Sequence, residues 1–240
     1  MKGIRARLFG WFLPDREAYR EPARDPAHRR AAWLDFLVMD FALLRVFWKN
    51  FGRVGSKGLA VRMNQPFPAD IRKAQAHGVK TVLTGRHDPR HGGNALVAAE
   101  CERLGLDYRT FPELFSRAAP WKETLLAAPE FFRSLRYPVL IHCKSGADRA
   151  GFISALYLII MENTPVREAA KQLTWKHLHF ATSKTGILDA VFAAYLAAHP
   201  HEDKPFLDWV RDDYDPEVLT AGYKAQGLAD FVERVILRRE

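Results

Sequence analysis

Cysteine is scarce in this chain of 240 residues: Cys101 and Cys143 are the only two. Two thiols exclude a disulfide framework and a zinc cluster, and they suit a reducing compartment. Clean apolar runs are lacking as well. The longest candidate, AAWLDFLVMDFALLRVFW at 31–48, is interrupted by Asp35, Asp40 and Arg45. On a helix these would point roughly 0°, 140° and 280° around the axis, so no face is free of charge and no membrane span results. A long helix over residues 31–50, buried with its charges paired or at its margins, is expected instead. The N-terminus MKGIRARLFGWFLPDREAYR has neither the apolar core nor the small-residue cleavage site of a secretory signal, and a cytoplasmic protein is expected. Repeats, low-complexity tracts and nucleic-acid motifs are missing too, so nucleic acid is not an expected partner. His87, His91, His177 and His179 stand beside no cysteine or carboxylate pattern of a metal site. They read as structural or surface residues, and neither metal nor cofactor is expected.

What is present is positive charge and apolar bulk. The net charge is +8, the pI is about 9.6, and 48% of residues are hydrophobic, enough for a sizeable core. A basic balance favours an anionic partner, either a phosphorylated substrate or a membrane surface. The first thirty residues carry eight Lys/Arg against four Asp/Glu, which leaves peripheral contact with an anionic membrane open. Short β-branched runs such as VKTVLTG (79–85) and PVLIHC (138–143) alternate with helical patterns such as PADIRKAQAHG (68–78) and RAGFISALYLIIMEN (149–163). The pattern predicts an α/β fold with a mainly parallel central sheet flanked by helices. Three parts are expected: an N-terminal basic segment and helix packed on the domain (1–54), a central domain (55–200) and a C-terminal helical extension (201–240).

The stretch PVLIHCKSGADRAG at 138–151 carries the chemistry. A buried strand ends at His142 and Cys143, and a loop leads to Arg149 at the start of an apolar helix. Helix N-termini offer unpaired N–H groups and bind anions. Gly146 lets the backbone turn and aim successive N–H groups inward. Arg149 brings a planar fork that matches two phosphate oxygens. Residues Lys144, Ser145, Gly146, Ala147, Asp148 and Arg149 thus read as a phosphate cradle. The same donors would stabilise a thiolate at Cys143, placed beneath a bound phosphorus as a nucleophile. The leaving oxygen needs a proton. Asp148 inside the loop is one candidate donor and Glu113, on a neighbouring loop, is its rival. Asp107 and Asp88 are poorer. His142 is expected to orient the loop from behind, and Cys101 to be core.

HCKSGADRAG resembles the signature of the cysteine-dependent protein tyrosine and dual-specificity phosphatases. Asp just before Arg is similar to bacterial members and to phosphoinositide phosphatases. VRMNQP, GVKTVLTGR and the strand at 106–112 extend the likeness over roughly residues 55–165. The resemblance implies Cys143 as nucleophile, Arg149 as phosphate clamp, the amides of residues 144–149 as cradle and Asp148 as general acid. Two departures stand out. The family's Ser or Thr after the arginine is Ala150 here; a hydrogen bond to a charged group is worth about 1.5–3 kcal/mol, so breakdown of a phosphocysteine should slow on the order of 10–100-fold. The segment RTFPELFSRAAP has only Glu113 where protein-directed members carry a mobile-loop Asp. The implied substrates are phosphotyrosine or dual-specificity phosphoproteins. Phosphorylated lipid headgroups at a membrane surface are one alternative, and a phosphate-binding module of low turnover is another.

Overall fold

The computed structural model describes residues 16–223. Strands β1 (Gly52–Val54), β2 (Ala60–Met63), β3 (Thr81–Thr84), β4 (Asp107–Thr110) and β5 (Val139–His142) form one sheet in the order β1-β2-β5-β3-β4. β1 runs antiparallel to β2, and every other pairing is parallel. Helix α1 (Pro26–Leu34) precedes the sheet. Helices α2 (Pro68–Ala76), α3 (Gly92–Leu104) and α4 (Lys122–Arg133) make the crossovers, and α5 (Asp148–Met161) leaves β5. The short α6 (Val166–Ala169), then α7 (Ile187–Ala198) and α8 (Phe206–Asp212) follow. This is the α/β architecture that the strand–helix alternation predicts.

Strand order places the site. The chain leaves β2, builds β3 and β4, and returns to insert β5 between β2 and β3. Such a reversal opens a crevice at the carboxyl ends of the strands. β5 is buried on both faces, as its unbroken apolar run requires. Val139 and Ile141 join one core layer with Phe132, Ile153 and Leu156, while Leu140 joins the opposite layer with Ile71, Val97 and Cys101. By the period of two, Cys143 falls in the first layer, against α5. α5 is buried continuously from Ala150 to Leu158, in keeping with its all-round apolar composition.

The helix expected over 31–50 does not form. α1 stops at Leu34, a π turn covers Asp35–Met39, Phe41 takes a left-handed conformation (φ 54°), and a 3-10 turn covers Ala42–Arg45. Electrostatics explains the break. Asp35 accepts a hydrogen bond from the Gly92 N–H at the start of α3 (2.8 Å). Asp40 pairs with Arg86 (2.7 Å), Lys144 (2.9 Å) and Arg45 (3.0 Å). A straight α-helix would hold the two carboxylates roughly 140° apart and could not turn both toward the domain. The π turn and the reversal at Phe41 do so. The expectation that these charges are paired therefore holds, but the long helix is lost to the pairing. The segment 165–177 forms the short α6 followed by two 3-10 turns. The basic residues 1–15 and the tail 224–240 lie outside the described residues. No described helix is long and apolar enough to cross a membrane.

Asp40 and Arg86 are each about 4% exposed. Burial opposes the charge on Asp40, but Arg86, Arg45 and Lys144 outweigh it and hold the carboxyl below the usual range. Its contribution to stability is present above the unfolded-state carboxylate pKa near 4 and is lost as pH falls through the depressed folded value. Asp40→Ala should therefore cost about 3–5 kcal/mol at neutral pH, because Arg86 is left buried and unpaired. The gap to wild type should narrow as the medium is acidified. Thermal unfolding at a series of pH values checks both.

Candidate active site

The loop from Cys143 to Asp148 is shaped by donors outside it. The Lys144 carbonyl accepts from the Arg45 guanidinium (2.8 Å) and the Gln65 N–H (3.1 Å). The Ser145 carbonyl accepts from the Asn50 amide (2.8 Å). The Gly146 and Ala147 carbonyls both accept from Nη2 of Arg62 (2.6 and 2.9 Å). In a trans peptide the C=O and the next N–H point opposite ways. Four successive carbonyls held away from the crevice thus turn the N–H groups of residues 145–148 toward it. Gly146 makes the turn at φ 76°, where a Cβ would lie 2.6 Å from the Asn64 nitrogen. At Gly151 a Cβ would crowd the Gln172 carbonyl and Nη2 of Arg62.

A cavity of about 330 Å³ opens over this loop. Cys143, Lys144, Ser145, Asp148 and Arg149 line its floor and side, and Asp40, Phe41, Arg45 and Ser116 complete the wall. The expected cradle residues are thus brought together, and the reshaped N-terminal segment closes one side. Burial pushes the Arg62 guanidinium down to about 10, against the pull of the Cys143 and Asp148 charges. A second hollow of about 390 Å³ lies between α4 and α8, lined by residues such as Pro129, Ile159 and Phe206. No thiol, histidine or serine lines it.

Asp148 heads α5 with its Oδ1 2.7 Å from Nδ1 of His179, whose Nε2 lies 2.6 Å from Oδ2 of Asp189. Burial works against a charged His179, but the hydrogen bonds to the two carboxylates outweigh it and raise the imidazole to about 9. Burial would raise Asp148, yet the bonds from His179 and Thr185 and the nearby Arg149 charge bring it below the ordinary value. His179, which the sequence leaves as a structural or surface residue, is thus buried between two carboxylates. No local signal marks the pairing, since Asp148 and His179 are far apart in the chain.

The other candidates lie elsewhere. Glu113 sits 3.6 Å from His87, is 43% exposed and does not line the cavity. Asp107 starts β4 at the opposite end of the sheet and pairs with Arg136, and Asp88 pairs with Arg90. His142 is fully buried on β5, where burial pushes its ring down to about 3. Cys101 is buried in the opposite core layer, which pushes its thiol up to about 12. Ala150 is fully buried, and the Ser145 hydroxyl turns to its own loop at the Ala147 nitrogen (3.3 Å).

Residues 62–210, more than half of the chain, match the model of the Tyrosine phosphatase family, and the chain belongs to that family. It is a cysteine-dependent phosphatase. No curated protein matches it. Among solved structures it is similar to TpbA of P. aeruginosa (18% identity over 73% of this chain and 91% of that one, TM-score 0.42). It is similar also to PTPMT1 (19% identity, 64% and 99%, TM-score 0.45). A third is the core catalytic domain of the PP-IP phosphatase SIW14 from S. cerevisiae (15% identity, 74% and 93%, TM-score 0.42).

Arg62 should be the most sensitive position outside the cavity wall. Arg62→Met leaves two loop carbonyls without their side-chain donor, at about 1–3 kcal/mol for each group. The melting temperature should fall, and the further rise that orthovanadate should produce in wild type should vanish. Arg62→Lys should restore little, because a single ammonium cannot span both carbonyls and Gln172 as the fork does.

Proposed function

We propose that the chain hydrolyses phosphomonoesters through a phosphocysteine, with phosphotyrosine in proteins as the substrate class. The observation that carries this reading is the loop whose four carbonyls are held outward beside Cys143 and Arg149. The inward N–H groups and the Arg149 fork take the three non-bridging oxygens and meet the charge that develops on them. The Cys143 thiolate attacks phosphorus; the P–S bond forms and the P–O bond to the leaving group breaks. Asp148 supplies the proton to that oxygen. Water then attacks phosphorus, gives its proton back to Asp148 and releases the thiolate and inorganic phosphate. Phe41 lines the cavity and is 44% exposed, so an aromatic face is available to a phosphorylated ring.

A second reading, hydrolysis of phosphorylated lipid headgroups, is favoured by a separate observation. Phe47 (96% exposed), Trp48, Phe51 and Trp175 stand out from the loops whose Asn50 and His177 are hydrogen-bonded together behind Ser145, with Lys176 among them. Exposed aromatics interleaved with basic residues suit a membrane interface.

Rapid quench with an aryl phosphate tests the first reading. Wild type should show a burst of phenol and a phosphate covalently bound to the protein, because Ala150 leaves the departing thiolate without a neighbouring hydroxyl. Cys143→Ser should show neither. Ala150→Ser should raise steady-state turnover about 10-fold and flatten the burst. An absence of phenol release from wild type at any pH from 5 to 8 would sink the proposal. For the lipid reading, sedimentation with vesicles of phosphatidylcholine alone or with added phosphatidic acid is decisive. Binding only to the anionic vesicles, lost in Phe47→Ser/Trp175→Ser, is expected; equal sedimentation of both proteins rejects it.

A further inference from the structure

Asp148, as the acid of the proposed mechanism, faces a difficulty. An acid must carry a proton at the moment of bond cleavage, and Asp148 sits among groups that favour its ionised form: His179, Thr185 and Arg149 beside it, and the Arg62 charge behind. The geometry around His179 resolves this. Its two ring nitrogens each contact a carboxylate oxygen, Asp148 Oδ1 at 2.7 Å and Asp189 Oδ2 at 2.6 Å. A neutral imidazole has one N–H, and an ionised carboxylate only accepts. Both contacts are satisfied together only if the three groups hold one proton more than a neutral ring between two carboxylates. The His179 side chain is about 1% exposed, so water does not substitute for either partner.

The fold takes trouble to deliver Asp189. It lies in the first turn of α7, after the 3-10 turn Lys184–Gly186. A Cβ at Gly186 would collide with the Ala181 carbonyl, and the Tyr223 hydroxyl donates to the Ser183 carbonyl (2.7 Å) beside that turn. Burial, and after it the Asp189 charge, raise the Tyr223 hydroxyl above its ordinary value. His179 itself is set by its N–H bond to the Thr174 carbonyl (3.1 Å), after a left-handed Leu178. Three separate segments thus meet at one buried ring, next to the cavity.

We propose that His179 is a positioning residue that, together with Asp189, stores the proton that Asp148 delivers to the leaving oxygen. The inference rests on the reading of Asp148 as the acid. A dianionic phosphate entering beside Asp148 draws the proton from Nδ1 of His179 onto the carboxyl. As the P–S bond forms and the P–O bond breaks, the leaving oxygen takes that proton, and His179 remains neutral with its Nε2–H on Asp189. In the second half-reaction water gives a proton to Asp148, and it returns to Nδ1. The balance closes over one turnover. Asp189 keeps the ring charged at rest, so the site is loaded at neutral pH although its carboxyl is acidic.

The test compares kcat/KM for p-nitrophenyl phosphate, whose leaving group needs no proton, with that for phenyl phosphate, whose leaving group does. Asp148→Asn should lose on the order of 10²–10³-fold on phenyl phosphate and far less on the nitrophenyl ester. His179→Gln should show the same split. In wild type the rate on phenyl phosphate should hold as pH rises and fall near 9, where His179 gives up its proton. In His179→Gln that alkaline limb should move toward the ordinary carboxylate range, about pH 4–5, and in Asp189→Asn it should move to lower pH by a smaller amount, because the ring keeps its bond to Asp148. The double variant Asp148→Asn/His179→Gln should be no worse than Asp148→Asn alone. Equal losses on both esters, an unmoved limb or additive losses would each overturn the role of His179. If Asp148→Asn itself shows no split, Asp148 is not the acid and both readings fall. If His179→Gln does not fold, ¹⁵N NMR of wild type decides: an imidazolium at His179 at pH 8 supports the proposal, and a neutral ring there ends it.

Discussion

One buried guanidinium organises the site. Arg62 has no exposed surface, yet it stands on β2 beneath the loop and donates to the Gly146 and Ala147 carbonyls and to Gln172. A peptide unit is a rigid dipole, so turning its carbonyl one way turns its N–H the other. The direction in which the loop can bind an anion is therefore set from behind. The cost is the burial of a charge, which burial itself opposes. The strand places the charge where the negative ends of several peptides and the Cys143 and Asp148 side chains surround it, and these offset the loss of water.

The same logic runs through the rest of the candidate site. Arg45 reaches the Lys144 carbonyl, Asn50 the Ser145 carbonyl, and Asp40 gathers Arg86, Arg45 and Lys144 at the cavity wall. Asp40, Arg45 and Asn50 come from the segment before the sheet. Its irregular path, with a π turn and a left-handed Phe41, is what a chain does when its charged residues must all reach the domain. The aromatic residues beyond it are left standing out from the surface near the cavity. Charge pairing at the site and the exposed aromatic rim are thus two results of one backbone route.

Local signals carried much of the fold. The apolar run of β5 ending in Cys143, the Gly-containing loop and the apolar α5 were legible because strand burial, turn chemistry and helix composition all act over a few residues. The segment 31–50 departs from its local pattern for the opposite reason. Its helix propensity is local, but the partners of Asp35 and Asp40 are at Gly92 and Arg86, and nothing in the segment names them. Glu113 is a fair rival on sequence spacing alone, but its side chain lies beside His87 and not in the cavity.

By itself, the sequence determined which residues could do the chemistry: a thiol at a strand end, five residues, an arginine and a helix start, together with an alternation that demands a parallel sheet. Tertiary structure decided how those groups are held and charged. Arg62, Asn50 and Arg45 orient the loop, and His179 with Asp189 surrounds Asp148, all from distant parts of the chain. The physical reason is range. Backbone conformation and burial pattern are set by neighbours along the chain, whereas a hydrogen bond to a buried ring or carbonyl depends on which surfaces meet when the layers pack.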